Sequence, residues 1–367
     1  MKLSLTQENL HKALSIVSRV ASTRSNLPVL SNILLSTSAN RLRLAATNLE
    51  IGVNYWIGCK VEQEGSITVP ARLFSEFIAT LPSQNIELSQ KDLSLAVKAP
   101  GVESTINGIS ADEFPLIPEL KTEPVLELPV EALQEALTQV VIAASQDEAR
   151  PILTGVYIYS EEKSLVLVAT DSYRLAEKRL KLAKPPKEPV AVIVPARTMQ
   201  ELGRVLAEAS GTVKVYLGEN QVMFATGNVE LTSRLIEGKF PDYRQIIPKS
   251  TETSVDIDTA ELTRITKVAS LFARENAGSV RLDIKSSGQL AVVSNPSQVG
   301  ENTSTADCSV SGEDGEISLN ARYLTDALGV IKTEQVLLSL SGKLNPCVLA
   351  PSEKPADYLH IIMPLRT

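Results

Sequence analysis

Apolar residues recur at helical spacing in one fifteen-residue pattern that occurs three times along the chain. The copies read ITVPARLFSEFIATL from Ile67, VIVPARTMQELGRVL from Val192 and ISLNARYLTDALGVI from Ile317, each 125 residues beyond the last. In each, an apolar run stops at Pro70, Pro195 or Asn320, and a helix is predicted to start with Ala-Arg. Proline suits this place because its missing N–H would be an orphan there anyway, and asparagine is a good N-cap. The predicted buried stripes are Phe74, Phe77, Ile78 and Leu81, then Met199, Leu202 and Leu206, then Leu324, Ala327, Leu328 and Ile331. One such helix is an ordinary core helix. Three at constant spacing mean a tripled unit.

The rest of the pattern repeats in the same order. Each unit opens with a second helix, predicted from Thr6 to about Arg19, from Val130 to about Ser145, and from Thr259 to about Asn276. Inward positions are Leu10, Ala13, Leu14 and Val17 in the first and Leu133, Ala136, Leu137, Val140 and Val141 in the second. In the third they are Leu262, Ile265, Val268, Ala269 and Phe272, with Arg264, Lys267 and Arg274 opposite and Leu271 stray among those bases. Short alternating strands follow, among them the echoes LRLAATNLEIGV from Leu42, LVLVATDSYRLA from Leu165 and LAVVSNPSQVGE from Leu290. The predicted fold class is therefore α+β. It comprises three repeated domains, 1–120, 125–250 and 253–367, each with two helices packed on mostly antiparallel sheets.

Composition adds exclusions. The 367 residues are 43% apolar and 22% charged, as expected of a globular chain. A net charge of −7 denies a general electrostatic grip on nucleic acid, and 4% aromatic content with one Trp (Trp56) argues against stacking platforms. Cys59, Cys308 and Cys347 are scattered and read as small buried side chains in a reducing compartment. No leader-like N-terminus and no apolar run of about 18 residues is present, so a cytoplasmic protein is expected, with no membrane partner.

No nucleotide-binding, nucleophile-elbow or zinc motif occurs, and no metal or cofactor is expected. The two histidines, His11 and His360, read as a surface and a strand residue. The carboxylate pairs Asp112-Glu113, Glu161-Glu162 and Asp256/Asp258 read as solvated caps and turns. The alternatives are a hydrolase using one of those pairs, or a duplex DNA-binding protein that does not encircle its DNA. Charge is also sorted by element: the six predicted helices hold one more basic than acidic residue, so they are less acidic than the remainder. Helices turned inward in a ring would then line a bore less acidic than its rim.

ATDSYRLA (169–176), EGKFPDYRQIIP (237–248), the repeated VPAR helices and the terminal IIMPLR (361–366) together resemble the bacterial β sliding clamp family, the processivity subunits of DNA polymerase III. The resemblance covers the whole chain. It implies a non-catalytic protein that pairs head to tail into a homodimeric ring of six domains, with twelve helices facing duplex DNA. Implied partners are the polymerase III catalytic subunit, an ATP-driven clamp loader, and other polymerases and repair factors carrying clamp-binding peptides. The implied peptide pocket takes Leu153, Thr170, Tyr173, Arg174, Leu175, Pro241 and Ile246 from the central repeat. The third repeat adds Asn320, Tyr323, Leu344, Pro346, Ile361, Met363, Pro364, Leu365 and Arg366. Tyr173, Gln245 and Pro346 depart from common family residues. DNA contacts are expected at Arg24, Gln146, Arg72 and Arg197. The dimer seam is expected at Ile106, Leu271 and Phe272, with Ser104 where a large apolar residue is frequent.

Overall fold

The computed structural model describes residues 1–22, 27–120, 123–298, 300–353 and 356–365. Its six α-helices are α1 (Gln7–Val17), α2 (Ala71–Thr80), α3 (Val130–Val140), α4 (Ala196–Leu206), α5 (Thr259–Phe272) and α6 (Ala321–Leu328). The predicted starts hold. Pro70 precedes α2, and the Asn320 carboxamide oxygen accepts the N–H groups of Arg322 and Tyr323 at 2.9 and 3.3 Å. Asp258 caps α5 through the Glu261 N–H at 2.7 Å. The stripes are buried as expected, except that Phe77, Val141, Val268 and Phe272 are only half-buried.

Two compact units emerge. The first joins Met1–Glu131 to Gln200–Leu235, and the second joins Ala132–Met199 to Ile236–Thr367. All strand pairs are antiparallel among the described residues. The first unit holds a five-stranded sheet in the order 60–63, 2–6, 85–91, 94–99, 102–107. Its second sheet has eight strands, in the order 126–129, 212–217, 221–226, 229–234, 51–58, 41–47, 32–38, 66–70. The second unit holds a nine-stranded sheet, ordered 191–195, 155–161, 164–170, 174–181, 358–362, 347–351, 335–340, 253–258, 309–312. A four-stranded one follows the order 300–307, 289–297, 279–285, 315–320.

The two larger sheets each run through a repeat boundary, and by the same device. In the first, strand 51–58 pairs with 229–234, from Ile51 opposite Ser233 to Tyr55 opposite Val229. In the second, 174–181 pairs with 358–362, from Arg174 opposite Ile362 to Lys178 opposite Tyr358. In both cases the strand after the repeat's Thr-Asn or Thr-Asp hairpin takes the last strand of the next repeat.

Strand 174–181 (RLAEKRLK) gave no sequence signal, because it is central and buried on both faces while carrying five charges. Each buried charge is paired. Lys178 Nζ donates to Glu135 and Asp357 at 2.9 and 2.8 Å, and the Glu177 carboxylate accepts from Arg179 Nε at 2.8 Å. Strand 300–307 was missed for the opposite reason: it is a polar edge strand, which shields its open backbone from stray pairing.

Three expectations are corrected. Only Cys347 is buried; Cys59 and Cys308 are half-buried, each the single residue between two strands. Glu161 is no solvated cap but bridges Arg179 and Arg244 at 2.8 and 2.6 Å, which holds its carboxyl below the usual range. The helices end before Arg19 and Arg274, so they carry seven basic and seven acidic residues and the expected surplus vanishes.

His360 lies sealed in the nine-stranded sheet, its Nδ1 3.0 Å from the Tyr358 hydroxyl. Burial, with the nearby Arg174 charge second, pushes its pKa down to about 3 from 6.5. The folded state then holds a neutral imidazole while the unfolded chain protonates, so stability is complete above about pH 6.5 and falls as pH drops toward 3. The slope from this group is at most about 1.4 kcal/mol per pH unit. His360→Gln keeps a hydrogen-bonding side chain beside Tyr358 without a titrating group. Urea unfolding between pH 6.5 and 4.5 should lose that slope in the variant; an identical pH dependence would show that His360 does not titrate this way.

Candidate peptide-docking site

The second unit gathers most of the expected pocket residues around one hairpin, Thr170 to Arg174. Thr170 Oγ1 accepts the Ser172 N–H at 3.1 Å and donates to the Arg174 carbonyl at 2.7 Å. The Asp171 carboxylate accepts the N–H groups of Tyr173 and Arg174, both at 2.9 Å. With those bonds in place, Ser172 sits in the left-handed region at φ 78°. Tyr173, next in line, is turned outward with 59% of its surface exposed.

Arg174 is nearly buried and made rigid from three sides. Nε donates to Asp171 at 3.1 Å, Nη1 donates to Asp326 at 2.6 Å, and the guanidinium lies 4.5 Å from the centre of the Tyr323 ring. It therefore acts as a strut tying the hairpin to α6. The terminal segment closes the frame: Met363 N–H donates to the Tyr173 carbonyl, and Leu365 N–H to the Ser318 carbonyl, both at 2.8 Å. Met363, Pro364 and Leu365 are left half-buried beside that frame.

The floor is apolar. Leu153, Leu175 and Ile361 belong to one buried cluster with Tyr159, Val166, Val168, Ile193, Phe240 and Tyr243. Each such aliphatic side chain contributes roughly 1.5–3 kcal/mol by leaving water. Ile246 (37%) and Leu344 (75%) stay exposed although apolar, while Pro241 is exposed, and Asn320, Tyr323 and Pro346 are half-buried. Exposed aliphatic residues around an apolar floor mark a surface built to be covered. Arg366 lies outside the described residues.

The segment carrying Pro241 and Ile246 is pinned by a closed ring of side-chain bonds. Tyr159 and Tyr243 hydroxyls meet at 2.8 Å, and Tyr243 donates to Glu177. Arg179 bridges Glu177 to Glu161 at 2.8 Å each, and Arg244 returns from Glu161 to the Tyr159 hydroxyl at 2.6 and 2.8 Å. Burial, then the bond to Glu177, pushes the Tyr243 phenol far above its usual value, so it remains a donor.

Sequence reasoning did not single out Asp171, Asp326, Tyr159 or Glu177. ATDSYRLA contains Asp171 and a capping reading would have found it; Asp326 lies 152 residues from Arg174 and carried no local signal.

The expected DNA residues fall in both units. Arg24 lies outside the described residues. Arg72, in the first unit, is committed to Glu76 at 2.8 Å. In the second unit Gln146 and Arg197 are exposed, and Arg197 forms no ion pair among the described residues. At the expected seam, Leu271 is exposed, and Phe272 is half-buried with its ring 3.8 Å from where a side chain at Gly300 would begin. Ile106 lies on the edge strand with its own side chain buried, between the exposed Thr105 and Asn107.

Repeated helix-and-sheet modules joined through shared antiparallel sheets, with a stiff hairpin over an apolar floor, define a modular α+β protein. The chain matches the DNA polymerase III beta subunit over its N-terminal domain (residues 1–118), central domain (127–242) and C-terminal domain (244–366), and it belongs to that family. It is 32% identical to the beta sliding clamp of Synechococcus elongatus over 373 residues, covering 100% of this chain and 99% of that one. It is 31% identical to that of Bacillus subtilis, covering 100% of both. Among solved structures, the sliding clamp of Bacillus subtilis superposes with a TM-score of 0.94 at 29% identity, covering 100% and 99%. The Pseudomonas aeruginosa clamp bound to griselimycin gives 0.93 at 30% identity, covering 100% of both.

Replacing Arg174 by Met would leave Asp171, largely buried, facing the pocket frame without its cation. Because Asp326 is partly exposed and can recover water, the expected loss is about 2–4 kcal/mol. Denaturant unfolding measures it, and a loss under about 1 kcal/mol would mean the strut is ornamental.

Proposed function

We propose that two copies of this chain close head to tail into a ring that encircles duplex DNA and tethers the replicative polymerase to it. Each copy contributes three modules, taken as 1–120, 125–250 and 253–367. The observation that carries this reading is the twice-made seam. Strands 51–58 and 174–181 each take the last strand of the following repeat. Their counterpart in the third repeat, 300–307, ends its sheet unpaired on one side, and so does 102–107, the last strand of the first repeat. One end of the chain thus presents what the other end lacks. Two such chains complete two further seams of the same kind and leave no open edge there, as closed symmetry requires. Leu271 and Phe272, at the end of α5, supply apolar area beside that edge.

A helical lining with equal numbers of acidic and basic groups fits sliding. Arg72, Arg204 and Arg264 are each neutralised by a glutamate on their own helix. A ring held by closure needs no tight phosphate grip, and a tight grip would arrest it. Arg24, Gln146 and Arg197 then give light contacts only.

The frame around Arg174 serves the tether. Leu153, Leu175 and Ile361 floor it, Ile246, Leu344 and Met363 adapt to different apolar side chains, and Thr170, Tyr173 and Asn320 orient the incoming peptide. Polymerase, clamp loader and repair factors dock there in turn, in the cytoplasm.

Loaded by an ATP-driven loader, the protein should stay on closed circular duplex through a sizing column and run off the same duplex once it is linearised. Equal retention on both would favour plain binding over encirclement. Deleting residues 363–367 should abolish polymerase stimulation while the dimer persists, read by primer extension beside sedimentation; a truncated chain that still stimulates synthesis overturns the docking assignment.

A further inference from the structure

The hairpin that builds the docking frame is made a second time, in the first unit. Thr47 Oγ1 accepts the Leu49 N–H at 3.0 Å and donates to the Ile51 carbonyl at 2.9 Å. Asn48 Oδ1 accepts the N–H groups of Glu50 and Ile51 at 3.0 and 2.8 Å. Leu49 has φ 75°, beside 78° for Ser172 in the other copy. Arg234 N–H donates to the Glu50 carbonyl at 3.0 Å, as Met363 N–H does to Tyr173 at 2.8 Å. The backbone of the docking frame is therefore present twice.

What differs is the filling. Ile51 stands where the other copy has Arg174, so no strut crosses the opening. Gly52 stands where Leu175 does, and a Cβ there would come within 2.8 Å of Ile117, so the glycine admits Ile117 as the floor. A cavity of about 190 Å³ remains, with Leu49, Ile51, Leu116, Ile117, Thr232 and Arg234 on its walls.

We infer that this cavity is a second peptide notch, which takes a short extended segment bearing an apolar residue next to a single carboxylate. Three observations support that occupant. Leu116 is 96% exposed and Leu49 about half exposed, apolar area set at the mouth. Leucine in the left-handed region is strained, and strain of this kind is retained where a side chain must be aimed. Thr232 is only 4% exposed, and its hydroxyl has no hydrogen-bond partner among the described residues, which leaves a donor for a ligand carbonyl or carboxylate. Arg234 is exposed and forms no ion pair among the described residues, so it can hold the carboxylate. Glu50 shares the rim. Its charge excludes uniformly acidic peptides and, with only one arginine opposite, a nucleic-acid backbone.

The inference rests on reading the Thr170 hairpin as a peptide frame, so the test must see both places at once. Methyl-labelled full-length dimer is titrated with acetyl-Ala-Leu-Asp-amide, with its Asn analogue, and with inorganic phosphate. Saturable shifts at Leu49, Ile51, Leu116 and Ile117 are expected, weakened about tenfold for the Asn analogue and in Arg234→Ser. Shifts confined to Leu344, Ile246 and Ile361 would overturn the second notch and leave the first site standing. Shifts at the first-unit methyls with none in the second would keep the notch and sink the Thr170 frame. Phosphate reproducing the peptide's shifts, or equal affinity for the Asn analogue, would make the cavity a simple anion or apolar site and end the proposal. Thr232→Val, nearly isosteric, guards against misfolding: it should weaken the peptide several-fold with the spectrum otherwise unchanged, and unaltered binding counts against the hydroxyl's role.

Discussion

Backbone pairing across the repeat boundaries is the constraint on which everything else depends. A strand that leaves its hairpin in one repeat must find the last strand of the next, because a buried N–H or C=O without a partner costs more than most side-chain contacts return. Strands 51–58 and 174–181 meet that demand inside the chain. Strands 300–307 and 102–107 cannot, and they stand at sheet edges. A protein that is covalently three-fold repeated but has one seam unfilled carries an instruction to find its twin. Ring closure is thus a consequence of sheet hydrogen bonding more than of any special interface residue, which is why the burial of Ile106 does no harm to it.

The docking frame grows from the same seam. Because 358–362 is drawn in beside 174–181, the residues that follow it arrive at the Thr170 hairpin, where Met363 bonds the Tyr173 carbonyl. The pocket is therefore assembled from pieces far apart in sequence, and it is stiffened by Arg174 between two aspartates and by the tyrosine–glutamate–arginine ring under Pro241. Stiffness here has a purpose. A preformed frame spares an incoming peptide the cost of ordering its receptor, and exposed, adaptable side chains at the rim allow several partners.

The first-unit hairpin shows how duplication leaves raw material. Main-chain geometry was copied almost unchanged, while Ile51 and Gly52 replaced the strut and the leucine floor. The same backbone then frames a different cavity, whose Thr232 hydroxyl and Arg234 guanidinium have no partner among the described residues.

The chain's own periodicity was enough to establish the tripling, the six helices and the Asn320 cap, since these depend on neighbours within a few residues. Pro70, Asn320 and the stripes around Phe74, Met199 and Leu324 are local facts, and local physics reads them. Strand 174–181 was illegible because charge normally signals solvent, and only the partners Glu135, Asp357 and Asp326, brought from distant parts of the chain, make burial of those charges tolerable. The apparent surplus of bases on the helices failed because α1 stops at Val17 and α5 at Phe272, which leaves Arg19 and Arg274 outside the count. Which residues share a pocket, and which strand edge stays open, are questions of who meets whom across a hundred residues or more. Periodicity carries no record of such meetings; the folded sheet decides them, because each pairing is won only when both strands have arrived.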